Sequence, residues 1–504
     1  MTGAGTIVGN LADGIRAFGD RPLIRDENTA LSYREFAERV EGAAADLLDK
    51  GVRPGDRVAL CSRNRVESAL LIWACARLSA IAVGLPTHLE PDAWSALVHN
   101  AAPRLLLAED EFRARIPGAV PLEDVFTGRR LPWDFGRELP DPDDAYALVY
   151  TSGTTGTPKG AIVTHRAAMG VASAYGELLQ LRQEDVTPIH LPFSYVSGHL
   201  SQLNPIMCAG GSAVLMRQFH SRTLIDVAHT AGATVLDLVP WMFTMLLREE
   251  RFSREHLPQL RAIIFGGAAL PNGILHTVRE RFPGLGLFDV YGMSETAGMI
   301  SVRDESSPTR RPNMLVPSMR ARVSHEGELL LRGPLTTPGY WHNQSATKRL
   351  LRDEWLHTGD RVDIGADGGI EVHGRVVDMI NRGGVKIAPE DVERVVTSHP
   401  AVAAAAAWGA PAGPAGDTVA VTVVLTPGSS VTAEELREWN RARLPVHARP
   451  RIIQIVEKLP RNPTGKVDRD ALRRAASDGL PVTAQPVRTA PPDGDVHRGG
   501  HDRS

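Results

Sequence analysis

The feature that most constrains this chain is an apolar segment that leads directly into a loop of glycines and hydroxyl-bearing residues. The segment, residues 146–150, predicts a buried strand. The loop, residues 151–160, holds three glycines and five serine or threonine hydroxyl groups. Glycines allow backbone N–H groups to approach an anion closely, and hydroxyl groups add neutral donors. Together the two stretches predict a strand that ends in a phosphate-binding loop.

A lysine near the end of this loop supports that prediction. Lys159 supplies a mobile positive charge that can follow a phosphate during a reaction. The loop differs from a Walker A sequence because Pro158 precedes the lysine and Gly160 follows it. A plain surface turn matches the composition but gives no reason for this order of residues. The predicted phosphate contacts are Thr151, Ser152, Gly153, Thr154, Thr155, Gly156, Thr157 and Lys159.

Strands and helices alternate on both sides of the loop. Ser32 and Glu35 form a capping-box pattern at the start of an apolar helical stretch. Strands at 58–60 and 81–85 flank a helix that starts near Arg65, an order typical of a parallel, doubly wound sheet. Further along, the sequence predicts helices at 164–179 and 200–208 and strands at 186–191, 213–216, 234–238 and 262–265.

A length of 504 residues implies more than one domain. We predict an α/β fold with a large N-terminal domain of doubly wound sheets, residues 1–377, and a small C-terminal α+β domain, residues 378–475. Residues 476–504 are rich in proline, glycine, arginine and aspartate and predict a disordered tail. Within the large domain, 108–140 is polar and predicts a surface excursion, and 365–369 predicts a hairpin turn.

Composition and charge exclude several classes of function. A net charge of −3 gives no electrostatic reason to expect nucleic acid or an anionic membrane as a partner. The most apolar window, 69–85, is short for a membrane span and is interrupted by Arg77. No secretory signal is apparent at the N-terminus, and the three cysteines lack metal-ligand spacing. We therefore expect free thiols in a reducing cytoplasm.

Two further glycine-containing loops follow predicted strands. In the first, Gly266, Gly267 and Ala268 leave room for a flat ring such as adenine against the backbone, although a close helix–strand turn explains them equally well. The second, residues 289–296, places a tyrosine, a serine and a glutamate together. These side chains suit purine stacking, a phosphate contact and Mg²⁺ binding, respectively. The alternative for this loop is an edge-strand turn with a solvated glutamate.

The remaining motifs lie in the last third of the chain. Asp360 follows a Thr-Gly turn, and its ionised carboxylate suits two hydroxyl donors. Arg375 comes fifteen residues later. Lys466 lies in a proline- and glycine-containing stretch, where a flexible ammonium group can neutralise charge that develops on a phosphate. A solvent-exposed turn is an equally good explanation of that stretch taken alone.

In this order and spacing, the motifs resemble those of the adenylate-forming superfamily, which includes acyl-CoA synthetases, nonribosomal peptide adenylation domains and beetle luciferases. The resemblance covers roughly residues 33–472. It implies ATP, Mg²⁺ and CoA as cofactors, and catalytic roles for Lys466, Thr155 and Glu295, with Glu295 holding the metal. It also implies a mobile small domain with a hinge at Asp378 and an acceptor side at Gly383 and Gly384. The nucleotide contacts that it implies outside the first loop are Gly266, Gly267, Ala268, Asp289, Tyr291, Gly292, Ser294, Asp360, Val372, Arg375 and Lys466.

One segment departs from the family pattern and bears on the substrate. Tyr195 occupies the position where many acyl-CoA synthetases carry a carboxylate-orienting histidine, and either Tyr195 or His199 takes that role here. No acidic residue occurs from 191 to 204, which argues against an α-amino acid substrate because a buried ammonium needs a partner. The predicted pocket is apolar and suits a fatty, branched or aryl acid. Its predicted members are Tyr195, His199, Val239, Pro240, Trp241, Met242, Phe265, Gly292 and Met293.

Three hypotheses follow from the sequence. The first is an ATP-dependent acid–CoA ligase that forms an acyl-adenylate and then a thioester. The second is the same adenylation with transfer to the phosphopantetheine of a carrier protein. The third is a non-catalytic nucleotide-binding homologue, which the retention of Lys159, Glu295, Asp360, Arg375 and Lys466 disfavours.

Overall fold

The computed structural model describes residues 5–151, 159–267, 270, 272–306, 312–375, 378–382, 385–411, 417–461 and 467–477. The chain separates into two compact units, Met1–Val377 and Asp378–Ser504. Among the residues in those ranges, no helix is both long and apolar enough to cross a bilayer.

The first unit opens with a six-stranded sheet in the order β6-β5-β3-β4-β7-β8. The pairs are parallel except β7 and β8, which form an antiparallel hairpin around the predicted phosphate-binding loop. The elements up to this hairpin are α1 (Ile7–Phe18), β1 (Pro22–Arg25), β2 (Ala30–Ser32), α2 (Tyr33–Asp49), β3 (Arg57–Cys61), α3 (Val66–Arg77), β4 (Ile81–Gly84), α4 (Pro91–Ala101), β5 (Leu105–Ala108), α5 (Asp110–Arg113), β6 (Val120–Pro121), β7 (Ala145–Thr151) and β8 (Lys159–Thr164).

Two more sheets follow in this unit. One has the order β2-β1-β10-β9, and the other has the order β11-β12-β13-β14-β15. In the second of these, β11, β12 and β13 are parallel, so their C-terminal ends lie at one edge. The elements are α6 (His165–Leu179), β9 (Val186–Ile189), α7 (Val196–Gly198), a π-helix (His199–Leu203), α8 (Asn204–Ala209), β10 (Ser212–Leu215), α9 (Ser221–Ala231), β11 (Val235–Leu238), α10 (Pro240–Leu246), β12 (Ala262–Gly266), α11 (Asn272–Arg281), β13 (Gly286–Met293), β14 (Gly298–Asp304) and β15 (Met314–Leu315).

The first unit ends in an antiparallel sheet with the order β16-β17-β19-β18, in which β20 also pairs with β19. The predicted turn at 365–369 joins β19 and β20, which confirms the hairpin. The elements are β16 (Arg320–Val323), β17 (Glu328–Arg332), α12 (Gln344–Leu350), β18 (Leu351–Arg352), β19 (Trp355–Ile364) and β20 (Ile370–Arg375).

The second unit is a small α+β fold. Strands β23, β24 and β25 form its main sheet, and β21 pairs with β22. Its core is built from branched aliphatic side chains of β24 and α13 such as Val421 and Val392. The elements are β21 (Ile380–Arg382), β22 (Val385–Ile387), α13 (Pro389–Thr397), β23 (Val402–Pro411), β24 (Asp417–Leu425), α14 (Ala433–Arg443), β25 (Ile452–Ile455) and α15 (Arg469–Ser477).

These elements confirm the predicted fold class, a large N-terminal α/β domain and a small C-terminal domain. One prediction was wrong in part. Residues 108–140 are not simply a surface excursion, because β6 extends the first sheet beside β5. Phe112, Leu122 and Val125 are buried, and these isolated apolar residues hold the polar segment against the sheet.

Candidate active site

The β7–β8 hairpin fixes the two ends of the predicted phosphate-binding loop. Thr151 at the end of β7 is paired directly with Lys159 at the start of β8. The loop therefore begins and ends at one point of the sheet edge. The predicted contacts Ser152, Gly153, Thr154, Thr155, Gly156 and Thr157 lie outside the described residues, so their roles stay predictions.

A carboxylate, a tyrosine and an arginine meet at the end of β20. The Tyr291 hydroxyl donates to Asp360 Oδ2 at 2.5 Å, and Arg375 Nε lies 2.9 Å from Asp360 Oδ1. Antiparallel pairing of β19 with β20 places Asp360 opposite Arg375. Asp360 is 6% exposed. The structure thus brings together residues of three different strands. Tyr291 and Asp360 are 69 positions apart in the sequence.

The protonation state of this cluster follows from burial and charge. Burial raises the pKa of Tyr291 well above its usual value, and the Asp360 carboxylate raises it further. Tyr291 is therefore a hydrogen-bond donor at any physiological pH. An ionised carboxylate has about four acceptor positions, so two contacts to protein leave capacity for about two ligand hydroxyl groups.

A second carboxylate is held by another tyrosine. The Tyr340 hydroxyl donates to Glu295 Oε1 at 2.6 Å. The ammonium group of Lys159 lies 5.6 Å from the centre of the Tyr340 ring, within cation–π range. Glu295 is in the helical turn Ser294–Thr296 that follows β13. The arrangement gathers a positive and a negative group around one aromatic ring.

The two clusters belong to one site. Burial and the Glu295 carboxylate raise the pKa of Tyr340, whereas the positive charge of Arg375 lowers it. Arg375 therefore acts on the Tyr340 hydroxyl and on Asp360 at the same time. Tyr340 contacts Glu295 and Lys159, and Arg375 links this group to Asp360 and Tyr291.

Sequence reasoning did not single out Tyr340. The residue lies in a segment that runs beside β8, because Trp341 N donates to Gly160 O at 2.8 Å and Ile162 N donates to Gly339 O at 3.1 Å. An isolated bridge pairs Ala161 with Tyr340. The only signal in the sequence is an aromatic pair directly after Pro-Gly, which is too common to assign a role.

Glycine is present at three positions of the predicted motifs for different physical reasons. A Cβ on Gly266 would lie 2.5 Å from Val290 O, and one on Gly292 would lie 1.9 Å from Gly298 O. Both positions therefore need glycine for close packing of neighbouring strands. Gly267 has a φ of +85°, a conformation that favours glycine, and no atom of the described residues lies within 4 Å of its Cβ position.

The carboxylate of Glu295 is the predicted metal ligand. No group of three or more histidine, cysteine, aspartate or glutamate side chains with metal-site geometry occurs in the described parts of the chain. A single carboxylate such as that of Glu295 suits Mg²⁺, which commonly binds one or two carboxylates together with substrate phosphates and water.

Tyr195 and His199, the two candidates for orienting a carboxylate, lie in different surroundings. The Tyr195 hydroxyl is 3.3 Å from His88 Nε2, and the two rings are stacked with centroids 6.2 Å apart. His199 is buried, its Nδ1 lies 2.9 Å from Phe193 O, and burial lowers its pKa to about 4. His199 is therefore neutral at pH 7. His88 has no counterpart in the sequence analysis, because a lone histidine after a proline-containing turn carries no signal.

The other predicted pocket residues are spread over two surroundings. Phe265 is 1% exposed and packs edge-on against Phe243 in a core cluster. Trp241 is 38% exposed and packs against Phe219, and Val239 caps α10. Their assignment to a substrate pocket stays a prediction.

Most of the remaining predicted positions of the first unit lie on the strands of the site or in the turn that follows β13. Met293 ends β13 and Ser294 begins the turn that carries Glu295. Asp289 lies opposite Arg303, and Val372 lies opposite Val362. Ala268 lies outside the described residues.

In the second unit, Asp378 joins a network of charges. Arg469 Nη1 and Arg473 Nη2 each lie 3.8 Å from an oxygen of Asp378. Arg469 also reaches Glu393 at 2.7 Å and Glu390 at 3.4 Å. The predicted residues Gly383, Gly384 and Lys466 lie outside the described residues.

Comparison with known protein families gives two matches. Residues 11–341 match the model of the AMP-binding enzyme family, and residues 391–466 match that of the AMP-binding enzyme C-terminal domain. The first match alone covers more than half of the chain.

Curated relatives cover nearly the whole chain. A 2-succinylbenzoate–CoA ligase of Bacillus cereus (strain Q1) is 30% identical over 479 residues, which span 91% of this chain and 96% of the relative. A feruloyl-CoA synthase of an Amycolatopsis species is 30% identical over 476 residues, which span 90% of this chain and 95% of the relative.

Solved structures show the same fold. ATP-bound MatB from Rhodopseudomonas palustris superposes with a TM-score of 0.87 at 25% identity and covers 94% of this chain and 99% of its own. O-succinylbenzoate coenzyme A synthetase from Bacillus subtilis, in complex with ATP and magnesium, has a TM-score of 0.82 at 26% identity and covers 92% of this chain and 98% of its own.

Proposed function

The chain belongs to the AMP-binding enzyme family of the adenylate-forming superfamily, and from this premise we propose that it is an AMP-forming acid–CoA ligase. The observation that carries the proposal is the joint site of Asp360, Tyr291 and Arg375 beside Glu295 and Lys159. One half of this site suits a ribose and the other half suits a phosphate. A nucleoside triphosphate needs both.

The ribose half would bind its ligand through hydrogen bonds that the Asp360 carboxylate accepts. Asp360 uses part of its carboxylate for Tyr291 and Arg375, and its remaining lone pairs accept two hydroxyl protons. Hydrogen bonds from hydroxyl groups to a carboxylate that is paired with Arg375 are charge-assisted and stronger than neutral ones. The open backbone at Gly267 leaves room for the base.

The phosphate half stabilises charge during the first reaction. A carboxylate oxygen of the acid forms a bond to the α-phosphorus, and the bond from that phosphorus to pyrophosphate breaks. Lys159 neutralises negative charge on the phosphates, and Glu295 is held in place by Tyr340. Mg²⁺, when bound at Glu295, supplies Lewis-acid stabilisation of the phosphate oxygens.

The second reaction exchanges the acyl carrier. The thiolate of CoA forms a bond to the acyl carbon, and the carbon–oxygen bond to AMP breaks. Lys466 in the adenylation step, a hinge at Asp378 and an acceptor side at Gly383 and Gly384 stay proposals from the family resemblance.

The acid that we propose is fatty, branched or aryl and is not an α-amino acid. The absence of acidic residues in 191–204 supports this, since an α-ammonium group would be left unpaired. Relatives named for 2-succinylbenzoate and ferulate support an aryl acid. The three cysteines of the chain are free and buried, which supports a reducing, cytoplasmic location.

The experiment that tests the proposal is a pyrophosphate-release assay over fatty, aryl and amino acids, run with and without CoA. We expect acid-dependent release that becomes multiple-turnover only with CoA and yields an acyl-CoA by mass. Release that stalls near one turnover despite CoA would assign the acyl group to a carrier protein. No release with any acid would contradict the proposal.

A further inference from the structure

Strand β11 carries a carboxyl group into the interior of the first unit. Asp237 is 7% exposed, and its side chain forms no hydrogen bond or ion pair with any residue that the structure describes. Burial raises the pKa of this carboxyl group well above its usual range. A buried polar group without a partner costs free energy that a bound ligand can recover.

The alternation of β11 decides which way this carboxyl group faces. Two core clusters meet at this strand. Leu236 and Leu238 belong to the smaller cluster, which also contains Phe265, whereas Val235 belongs to the larger cluster. Side chains two positions apart share a face of a strand, so Asp237 lies on the side of Val235. Its register partner Ile264 also belongs to the larger cluster.

Polar side chains lie on that side. Burial and the nearby Asp237 carboxyl raise the pKa of the Tyr175 hydroxyl, and a hydrogen bond with Ser201 lowers it, so the three side chains are neighbours. Asn204 comes three positions after Ser201, is 1% exposed and has no described partner for either amide atom. This polar wall, which consists of Tyr175, Ser201 and Asn204, therefore has unused hydrogen-bonding capacity.

The wall is connected to the reacting centre. Ser201 Oγ lies 3.0 Å from the position of a Cβ on Gly298, a place that no side chain fills. The Gly298 carbonyl accepts a hydrogen bond from Thr296 Oγ1 at 2.8 Å, and Thr296 ends the turn that carries Glu295. Contacts thus run from the turn at Glu295 through Gly298 to Ser201, a neighbour of Asp237.

We propose that Asp237 determines substrate specificity by binding a hydroxyl or amino group on the acid, at the end remote from its reacting carboxylate. This inference rests on the proposed ligase function. A neutral carboxyl group both donates and accepts, which matches a hydroxyl or amino substituent. A substrate without such a group leaves the carboxyl unpaired and pays for its burial.

The test compares matched acids on the full-length chain. Pyrophosphate release is measured with 3-phenylpropenoic acid and with its 4-hydroxy and 4-amino forms, for the wild type, Asp237→Leu and Leu236→Val. We expect the wild type to favour a donor-bearing acid at least tenfold in kcat/KM, and Asp237→Leu to reduce this ratio at least tenfold. Leu236→Val, on the opposite face of the same strand, keeps the ratio.

The outcomes separate the inference from the function on which it rests. A wild-type preference below twofold, or an unchanged ratio in Asp237→Leu, overturns the role of Asp237 and leaves the ligase intact. No release from the wild type with any acid overturns both. Asp237→Val, which suits a strand, replaces Asp237→Leu if the latter does not fold, and a wild-type preference below twofold overturns the role of Asp237 even if neither variant folds.

Discussion

Single side chains determine whether this site can hold a nucleotide. Asp360 is the residue on which the ribose half depends, because it accepts from Tyr291 and pairs with Arg375 while keeping free acceptor positions. The sequence motif pointed to this aspartate and to its arginine. It did not reveal that the tyrosine of another motif completes the cluster, since that contact depends on how two sheets approach each other.

Asp360→Asn should weaken ATP binding and leave the fold intact. The change removes the charge that strengthens the ribose hydrogen bonds, and loss of about 1.5–3 kcal/mol corresponds to a rise in KM for ATP of roughly tenfold to a hundredfold. The matched control is Asp363→Asn on the same strand, whose side chain is 83% exposed. Equal KM values for the two variants would contradict the ribose assignment.

Tyr340→Phe should lower kcat about tenfold and raise the magnesium concentration needed for half-maximal rate. The variant keeps the ring beside Lys159 but leaves Glu295 Oε1 without its donor. Tyr33→Phe is the control, because the Tyr33 hydroxyl bonds backbone carbonyl groups away from the site. An unchanged magnesium dependence in Tyr340→Phe would show that this tyrosine does not position Glu295.

Residues that act through distant contacts were the ones the sequence could not reveal. Tyr340, His88 and Asp237 carry no local motif, and their positions follow from strand pairing and packing across the first unit. Asp237 even lies in a short run that, by pattern, predicts an ordinary buried strand.

The sequence predicted helices and strands more accurately than it predicted contacts between single side chains. The capping box of Ser32 and Glu35 at the start of α2 is confirmed, and predicted strands such as 262–265 differ from β12 by one residue. Local hydrogen bonding and period-2 patterns decide such elements. The segment 108–140 was misjudged because isolated apolar residues among charges give no periodic signal.

Gly292→Ala tests the packing between β13 and β14. A Cβ at this position would meet the Gly298 carbonyl oxygen at 1.9 Å, so the strands must separate. We expect a loss of about 1–3 kcal/mol in unfolding free energy and a loss of activity, measured by urea denaturation and pyrophosphate release. Gly176→Ala is the control, because this helical glycine has open space around its Cβ position. We expect this variant to gain about 0.5–1 kcal/mol in unfolding free energy.

At the scale of the whole molecule, the second unit should have its own pH dependence. Burial raises the pKa of Glu390 to about 7, and its Oε2 has no described partner. The raised value means that the folded state disfavours the charged form. The contribution of protonated Glu390 to the free energy of unfolding is therefore fully present below the ordinary pKa of glutamate, 4.5. This contribution is lost as the pH rises through about 7.

Glu390→Gln should remove this loss. The side chain is 32% exposed, so we expect a gain on the order of 2 kcal/mol at pH 8 and no gain at pH 5. Thermal unfolding of the wild type and the variant at both pH values measures the difference. A gain of equal size at pH 5 would show that protonation of Glu390 is not its source.

The order of motifs along the chain was sufficient to predict the family and the fold class of the large and small domains. It was not sufficient to predict the acid, because a contact such as the one that we propose for Asp237 depends on how separate strands and helices pack together. Specificity therefore has to be argued from packing.

The measurement that tests the central claim most directly follows oxygen atoms from the acid to AMP. The substrate is an acid labelled with ¹⁸O in its carboxylate, incubated with ATP, Mg²⁺ and CoA, and the nucleotide product is analysed by mass. Adenylation at the α-phosphorus predicts AMP that carries one ¹⁸O, together with pyrophosphate and acyl-CoA. Unlabelled AMP, or ADP with labelled inorganic phosphate, would contradict the account.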